Sequence, residues 1–476
     1  MVKKSAKSSV MVYRLERLLA VLYSAEPGCF FQRCKTFFAD YRQQQSALQQ
    51  AEQRWQQLQQ DTSAPQAQRQ QARQHYTELQ YQDEKARLMR WADLQLLAEQ
   101  LLQLSEGENS NETLAFSARL LGCLQIMVPT AKRQRELVQF AYKPLYRAVL
   151  SLRLLDHLLT QQLLDDPALL DHYQLRNRQD PDHCPYRQHV QLPIVMAILL
   201  QDIGLLHPEA VGIVQGELAQ FDAGRSLSVT ERQRLLSVSS DASLALLQQG
   251  FGIAPYKGND KAEREQYFAA QQQRLHWLGQ LLQLNPTDKT LFGSLLKVPQ
   301  VYTSIMLPGR QRFNYAMLPK AALLMREGAK RNEYNGLLVD QLLRITGLFP
   351  QGYGVVFTPL ADDQQPQERY EFAIVNGLYP QKPEQPNCRV VSRQQQYRNT
   401  GIDISLQPDY NLYFKAARER LEVLPEHRLK ALLNALYEDG EARYLRKLLP
   451  RCWQPEQFFT DPAHQNLWQN ATLKQN

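Results

Sequence analysis

Nine apolar residues, Leu192 to Leu200, form a helical run that delivers Gln201 and Asp202 to its last turn before Ile203-Gly204 breaks the helix. A carboxylate is thereby set at the rim of a helical core. Such an acid serves either as a capping, hydrogen-bonded group or as a functional one, and the bare pattern leaves both open. A second collection of metal-ligand types, His172, Asp180, Asp182, His183 and Cys184, falls in the irregular stretch 165–188. No His pair at i, i+4 and no CxxC pair is among them to present ligands convergently, so a polar loop is the expectation there. His157 stands alone on an amphipathic helix, where an imidazole is more often structural. Six cysteines share no CxxC spacing and read as reduced thiols of a cytosolic protein.

The wording LLQDIGLLHPEA, from Leu199 to Ala210, resembles the LLHDIGKxxxPxx segment of the HD-GYP family, helical metal-dependent phosphodiesterases that hydrolyse cyclic di-GMP. Gln201 stands where the family has its His. Three further stretches follow in the family's order, so the resemblance covers roughly residues 142–406. Ser228-Val229-Thr230-Glu231 opens a helix, with Thr230 at its N-cap or first position, and Ser240 falls where the family places its next ligand His. LLKVPQVYTSIMLPGRQRFNYAMLPKAAL, from Leu295, is similar to ILxVADVYDALTSxRPYRxALSPxEAL, with Gln300 in place of the ligand Asp and Thr303 in place of a second Asp. YNGLLVDQLLRITGLFPQGYGVVF, from Tyr334, is similar to the family's closing helix and turn. The defining HHExxDGxGYP loop is replaced by GFGIAPYKGNDKAEREQY, and no His occurs between His207 and His276. His157 is the nearest counterpart of the family's first ligand His, although the 45 residues to Asp202 exceed the family's spacing.

The resemblance implies a mainly α protein with an HD-like helical bundle, and a chemistry that has been lost. Hydrolysis of this type needs several imidazoles and carboxylates within about 2.0–2.2 Å of each ion, because only the assembled charge activates a bridging water against phosphate. Gln201, Ser240 and Gln300 are degenerate ligand positions, and Asp202 alone does not hold two metals. The expectation is a regulatory protein, not an enzyme, related to cyclic di-GMP signalling through ligand or protein binding, with no cofactor. Arg310 and Arg312 are placed to face an anionic ligand. The alternatives are an active phosphodiesterase that has recruited His207, His189 and His183 around Asp202 and carries iron or manganese, or a scaffold protein whose working part is a coiled-coil arm.

Around these residues the chain divides in order into a basic tail (1–10), a helical domain with a coiled-coil hairpin (11–110), the HD-GYP-like domain (111–350), a small β unit (351–407) and C-terminal helices with an aromatic tail (408–476). The hairpin rests on 3-4-3 spacing in Leu48, Ala51, Trp55, Leu58 and again in Trp91, Leu94, Ala98, Leu101, about a turn at 61–65. It could be a dimerisation arm, a dock for a protein partner, or a plain helical subdomain. Pro144 should kink or split a long helix over 131–164. VVFTPL, YEFAIVNGLY, CRVVSR and GIDISL alternate as strands, and helices are expected near 408–421 and 426–449. A formal charge of +7 with scattered Lys and Arg implies no specific nucleic-acid surface. Arg14, Glu16 and Arg17 interrupt any signal-peptide run, no apolar stretch approaches the ~20 residues of a membrane span, and a cytoplasmic location is expected.

Overall fold

Prolines, caps and glycines set where the helices of this chain begin and end. The computed structural model describes all residues except 1–8, 25, 27, 285–290, 310–312, 361–369, 395, 420–425, 437–439, 446–449 and 469–476. It is mainly helical, with a small antiparallel sheet toward the C-terminus. Its contacts gather into two units, the first from residues 1–17, 102–181 and 286–476, the second from 18–101 and 182–285. These units interleave along the chain.

In the second unit, helix Phe30–Gln60 and the long helix Gln66–Ser105 are joined by the turn at 61–65, where Asp61 Oδ1 accepts the Ser63 amide at 2.9 Å. They run antiparallel. Arg33 pairs with Asp93 at 3.0 Å, the Arg90 guanidinium lies 5.2 Å over the Phe37 ring, and the Trp55 and Tyr76 rings stack at 5.3 Å. Each pair is centred near residue 63, the expected tip. Trp91, Leu94, Ala98 and Leu101 are buried, whereas on the partner helix Ala51 is buried and Leu48, Trp55 and Leu58 are half-exposed. The hairpin is therefore anchored by its base.

All nine residues of helix Leu192–Leu200 are buried, and it packs on helix Lys261–Gln283. A π-helical turn, Arg187–Gln191, precedes Pro193, and a 3-10 segment, Ile203–Leu206, follows. The extra residue in the π turn relieves the clash and the missing N–H of the proline ring. The whole stretch Arg187–Leu206 is long and apolar enough to cross a membrane, which corrects the expectation that no run reaches that length. With 78% of it buried inside the protein, it is a core helix. Helix Val229–Gln249 begins with a capping box: Ser228 is the N-cap and its hydroxyl and Glu231 exchange hydrogen bonds with each other's backbone amides. Thr230 is thus inside the first turn and not the cap.

The first unit is built around helix Lys143–Thr160, most of it buried, which packs against helices Ser110–Met127, Leu291–Met306 and Gly336–Thr346. The chain is divided just before Pro144 by a second π-helical turn, Val138–Tyr142, as the proline requires. Gly347 and Gly352 adopt positive φ (68° and 82°) between the closing helix and the first strand, and the Gly352 amide donates to Val375 O at 2.8 Å. The sheet then runs Gly354–Phe357, Glu371–Gly377, Asn387–Val390, Asp403–Ser405, each strand antiparallel to its neighbour in that order. All four expected strands are present. Trp453 donates its indole N–H to Ala373 O at 3.1 Å, and Trp468 lies so close to Gly122 that a Cβ there would meet its ring at 2.2 Å. The aromatic tail packs on its own unit. Of the helix expected over 408–421, Lys415–Glu419 is described; it starts late because Asn411 is drawn into a bridge with Phe357, and residues 420–421 lie outside the described residues. The one expected over 426–449 is described as Glu426–Leu436 and Gly440–Leu445.

Candidate functional site

Gln201 caps the C-terminus of the core helix, and Asp202 follows it half-buried, its carbonyl accepting the Leu205 amide at 3.1 Å. The turn they lead into is pressed onto helix Val229–Gln249. The Gly204 N–H donates to Ser243 Oγ at 2.9 Å, and a Cβ on Gly204 would sit 1.9 Å from the Ser239 carbonyl oxygen. Ser239 and Ser243, one turn apart and both buried, make that approach possible. Ser240 lies on the exposed side of the same helix. The position matched to a ligand His therefore points to solvent, and its neighbours serve close packing instead.

The remaining expected ligands have other work. His207 is the N-cap of helix Pro208–Gln215: its Nδ1 accepts the Glu209 amide at 3.3 Å, and its ring stands edge-on to Phe38 at 5.9 Å. A cavity of about 310 Å³ in this unit is walled by Phe37, Phe38, His207 and Asp241, and Asp202 is not part of its lining. His183 and His189 are exposed. In the first unit, His157 is buried with both ring nitrogens engaged, Nε2 with Gln341 Oε1 at 2.9 Å and Nδ1 with the Tyr379 hydroxyl at 3.2 Å. Because the Gln341 oxygen only accepts, Nε2 is the nitrogen that donates to it, and Nδ1 faces the Tyr379 hydroxyl. Gln300, half-buried on helix Leu291–Met306, has Lys297 Nζ 3.5 Å from its Oε1. Arg310 and Arg312 lie outside the described residues. Among the described residues no group of three or more His, Cys, Asp or Glu side chains is gathered as ligands to a metal would be.

What the first unit does gather is a set of arginines. A cleft of about 700 Å³ is lined by Arg153, Asp156, His157, Arg176, Arg178, Arg344 and Tyr379, with Leu114, Pro380 and Pro383 supplying apolar wall. Arg153, nearly inaccessible at 2%, sits on the inner face of helix Lys143–Thr160 and pairs with Glu106 and, at 3.1 Å, with Asp156. Arg176 bridges the same two acids, at 2.7 Å to Glu106 and 2.9 Å to Asp156. Two guanidinium groups and two carboxylates thus close a ring whose charges cancel, which is what allows Arg153 to be buried. Burial, with the Asp156 charge adding to it, pushes the Tyr379 hydroxyl up to about 12, so it remains a hydrogen-bond donor at neutral pH.

Of this cleft, sequence reasoning singled out His157 alone. The available signal was Arg153 inside LSLRLLDHLL, a charge at a position that the helical period turns inward. No family model, curated protein or solved structure matches this chain.

Proposed function

We propose that this chain is a regulatory protein of HD-GYP-like descent, acting in cyclic di-GMP-related signalling by binding a ligand or a protein partner without hydrolysing it. The HD-like bundle, the kinship and the signalling context belong to this proposal. One observation carries the loss of hydrolysis: side chains that would have to converge on Asp202 are committed elsewhere. Ser240 faces solvent, the Nδ1 lone pair of His207 caps a helix, and both nitrogens of His157 are hydrogen-bonded within the first unit. Recruiting His157 or His207 to a metal would break these bonds, at about 1 kcal/mol each or more where a buried partner is left unsatisfied.

Metal analysis of the purified full chain tests this. The expectation is less than stoichiometric iron, manganese or zinc, unchanged in Asp202→Ala. Stoichiometric metal that disappears in that variant, together with cleavage of cyclic di-GMP, would overturn it in favour of a phosphodiesterase with substituted ligands.

A further inference from the structure

The neutral ring of Arg153, Arg176, Glu106 and Asp156 explains two of the four arginines of the cleft in the first unit and leaves two unexplained. Arg178 and Arg344 line the same cavity, and among the described residues neither has a hydrogen-bonding or ion-paired partner. Arg178 Nε is buried with no hydrogen bond. Four arginines against two carboxylates leave an excess of two positive charges in a partly enclosed space. Arg178 is half-buried with its Nε shielded from solvent and no hydrogen bond, whereas a shielded guanidinium is normally paired, as Arg153 is; Arg344 is exposed, its charge open to a ligand in the cavity it lines.

We propose that this cleft binds a phosphate-bearing small molecule of about nucleotide size, its phosphate held between Arg178 and Arg344. Two separate guanidinium groups suit a dianionic phosphate better than a single carboxylate, since each offers a planar pair of donors to two oxygens. The volume, about 700 Å³, lies within the range of small-molecule sites and leaves room for an organic portion against Leu114, Pro380 and Pro383. Tyr379, oriented by its bond to His157, supplies a hydroxyl at the cavity wall. The paired arginines form a rigid floor and do not need the ligand, whereas the unpaired ones are electrostatically relieved by it. This inference is independent of the HD-GYP-like reading: cyclic di-GMP can fail to bind while the cleft still takes another phosphate compound.

The test is calorimetric titration of the full chain with GMP, inorganic pyrophosphate, guanosine and citrate. Saturable binding of GMP or pyrophosphate is expected, with guanosine and citrate much weaker. Arg178→Ala and Arg344→Ala should each weaken it by about tenfold or more, the loss expected for a charge-assisted contact, with folding unchanged by circular dichroism. Arg331→Ala, which removes an exposed arginine paired with Glu333 elsewhere in the unit, should leave it unchanged. The proposal is overturned if neither phosphate probe saturates, if citrate binds more tightly than both, or if Arg331→Ala weakens binding as much as the cleft variants do.

Discussion

Replacing Gly204 by alanine places a methyl group 1.9 Å from the Ser239 carbonyl oxygen, where ordinary contact begins at 3.4 Å. That oxygen belongs to a helix backbone and cannot rotate aside. The 203–206 turn must therefore withdraw from helix Val229–Gln249 by about 1.5 Å, the shortfall between those two distances. A shift of that size stretches the 2.9 Å bond from Gly204 N to Ser243 Oγ beyond hydrogen-bonding range. Losing the bond costs about 1 kcal/mol and overpacking about 1–3 kcal/mol, so Gly204→Ala should destabilise the second unit by about 2–4 kcal/mol. Ser243→Ala, which removes only the bond, should cost about 1 kcal/mol. Gly212→Ala is the opposing control: no atom lies within 4 Å of its Cβ, so better helix propensity should stabilise helix Pro208–Gln215 by about 0.5–1 kcal/mol. Urea unfolding followed by circular dichroism, with hydrogen exchange at 192–206 and 229–249 as the local readout, measures all three. A Gly204→Ala variant as stable as the parent would refute close packing of the turn on Ser239, and with it the account of why this segment is closed to metal ligands.

Two further outcomes follow from the ion pairs. Glu106→Ala removes one carboxylate from beneath the buried Arg153 and Arg176, leaving Asp156 to serve both. It should cost about 3 kcal/mol in unfolding free energy, the scale of breaking a buried pair, and a double-mutant cycle with Arg176→Ala should show strong coupling. Hydrogen bonds from Arg225 and then from the Ser228 backbone hold the Glu231 carboxyl down to about 2 from its ordinary 4.5. A depressed carboxylate contributes stability that is full above the unfolded value and lost as pH falls through the folded one. Hydrogen-exchange protection at the start of helix Val229–Gln249 should therefore decline between pH 4.5 and about 2, and Glu231→Gln should flatten that decline.

Local chemistry was legible wherever the determinants sit close together in the chain. The break after Leu200, the turn near residue 63, the division before Pro144 and the four strands each depend on a few neighbouring residues, and each is found. Ser228 and Glu231 also carried the S-x-x-E spacing of a capping box, which identifies Ser228 as the cap in preference to Thr230. What was not legible is non-local. Arg153 meets Glu106 across 47 residues and Arg176 meets it across 70, so no window of sequence shows that these charges neutralise one another. The orientation of Ser240 likewise depends on helical phase, which is fixed by Ser239 and Ser243 closing on Gly204. Two units assembled from alternating segments follow from which helices pack together, and periodicity along one helix does not specify its partner.

Under the proposed function, an HD-GYP-like body is kept for binding while turnover is lost. The most direct test is to incubate the full chain with cyclic di-GMP and added manganese, following heat of binding and product in parallel. Saturable binding with no linear dinucleotide or GMP released is the predicted result. Steady release of either product, abolished by Asp202→Ala, would contradict it.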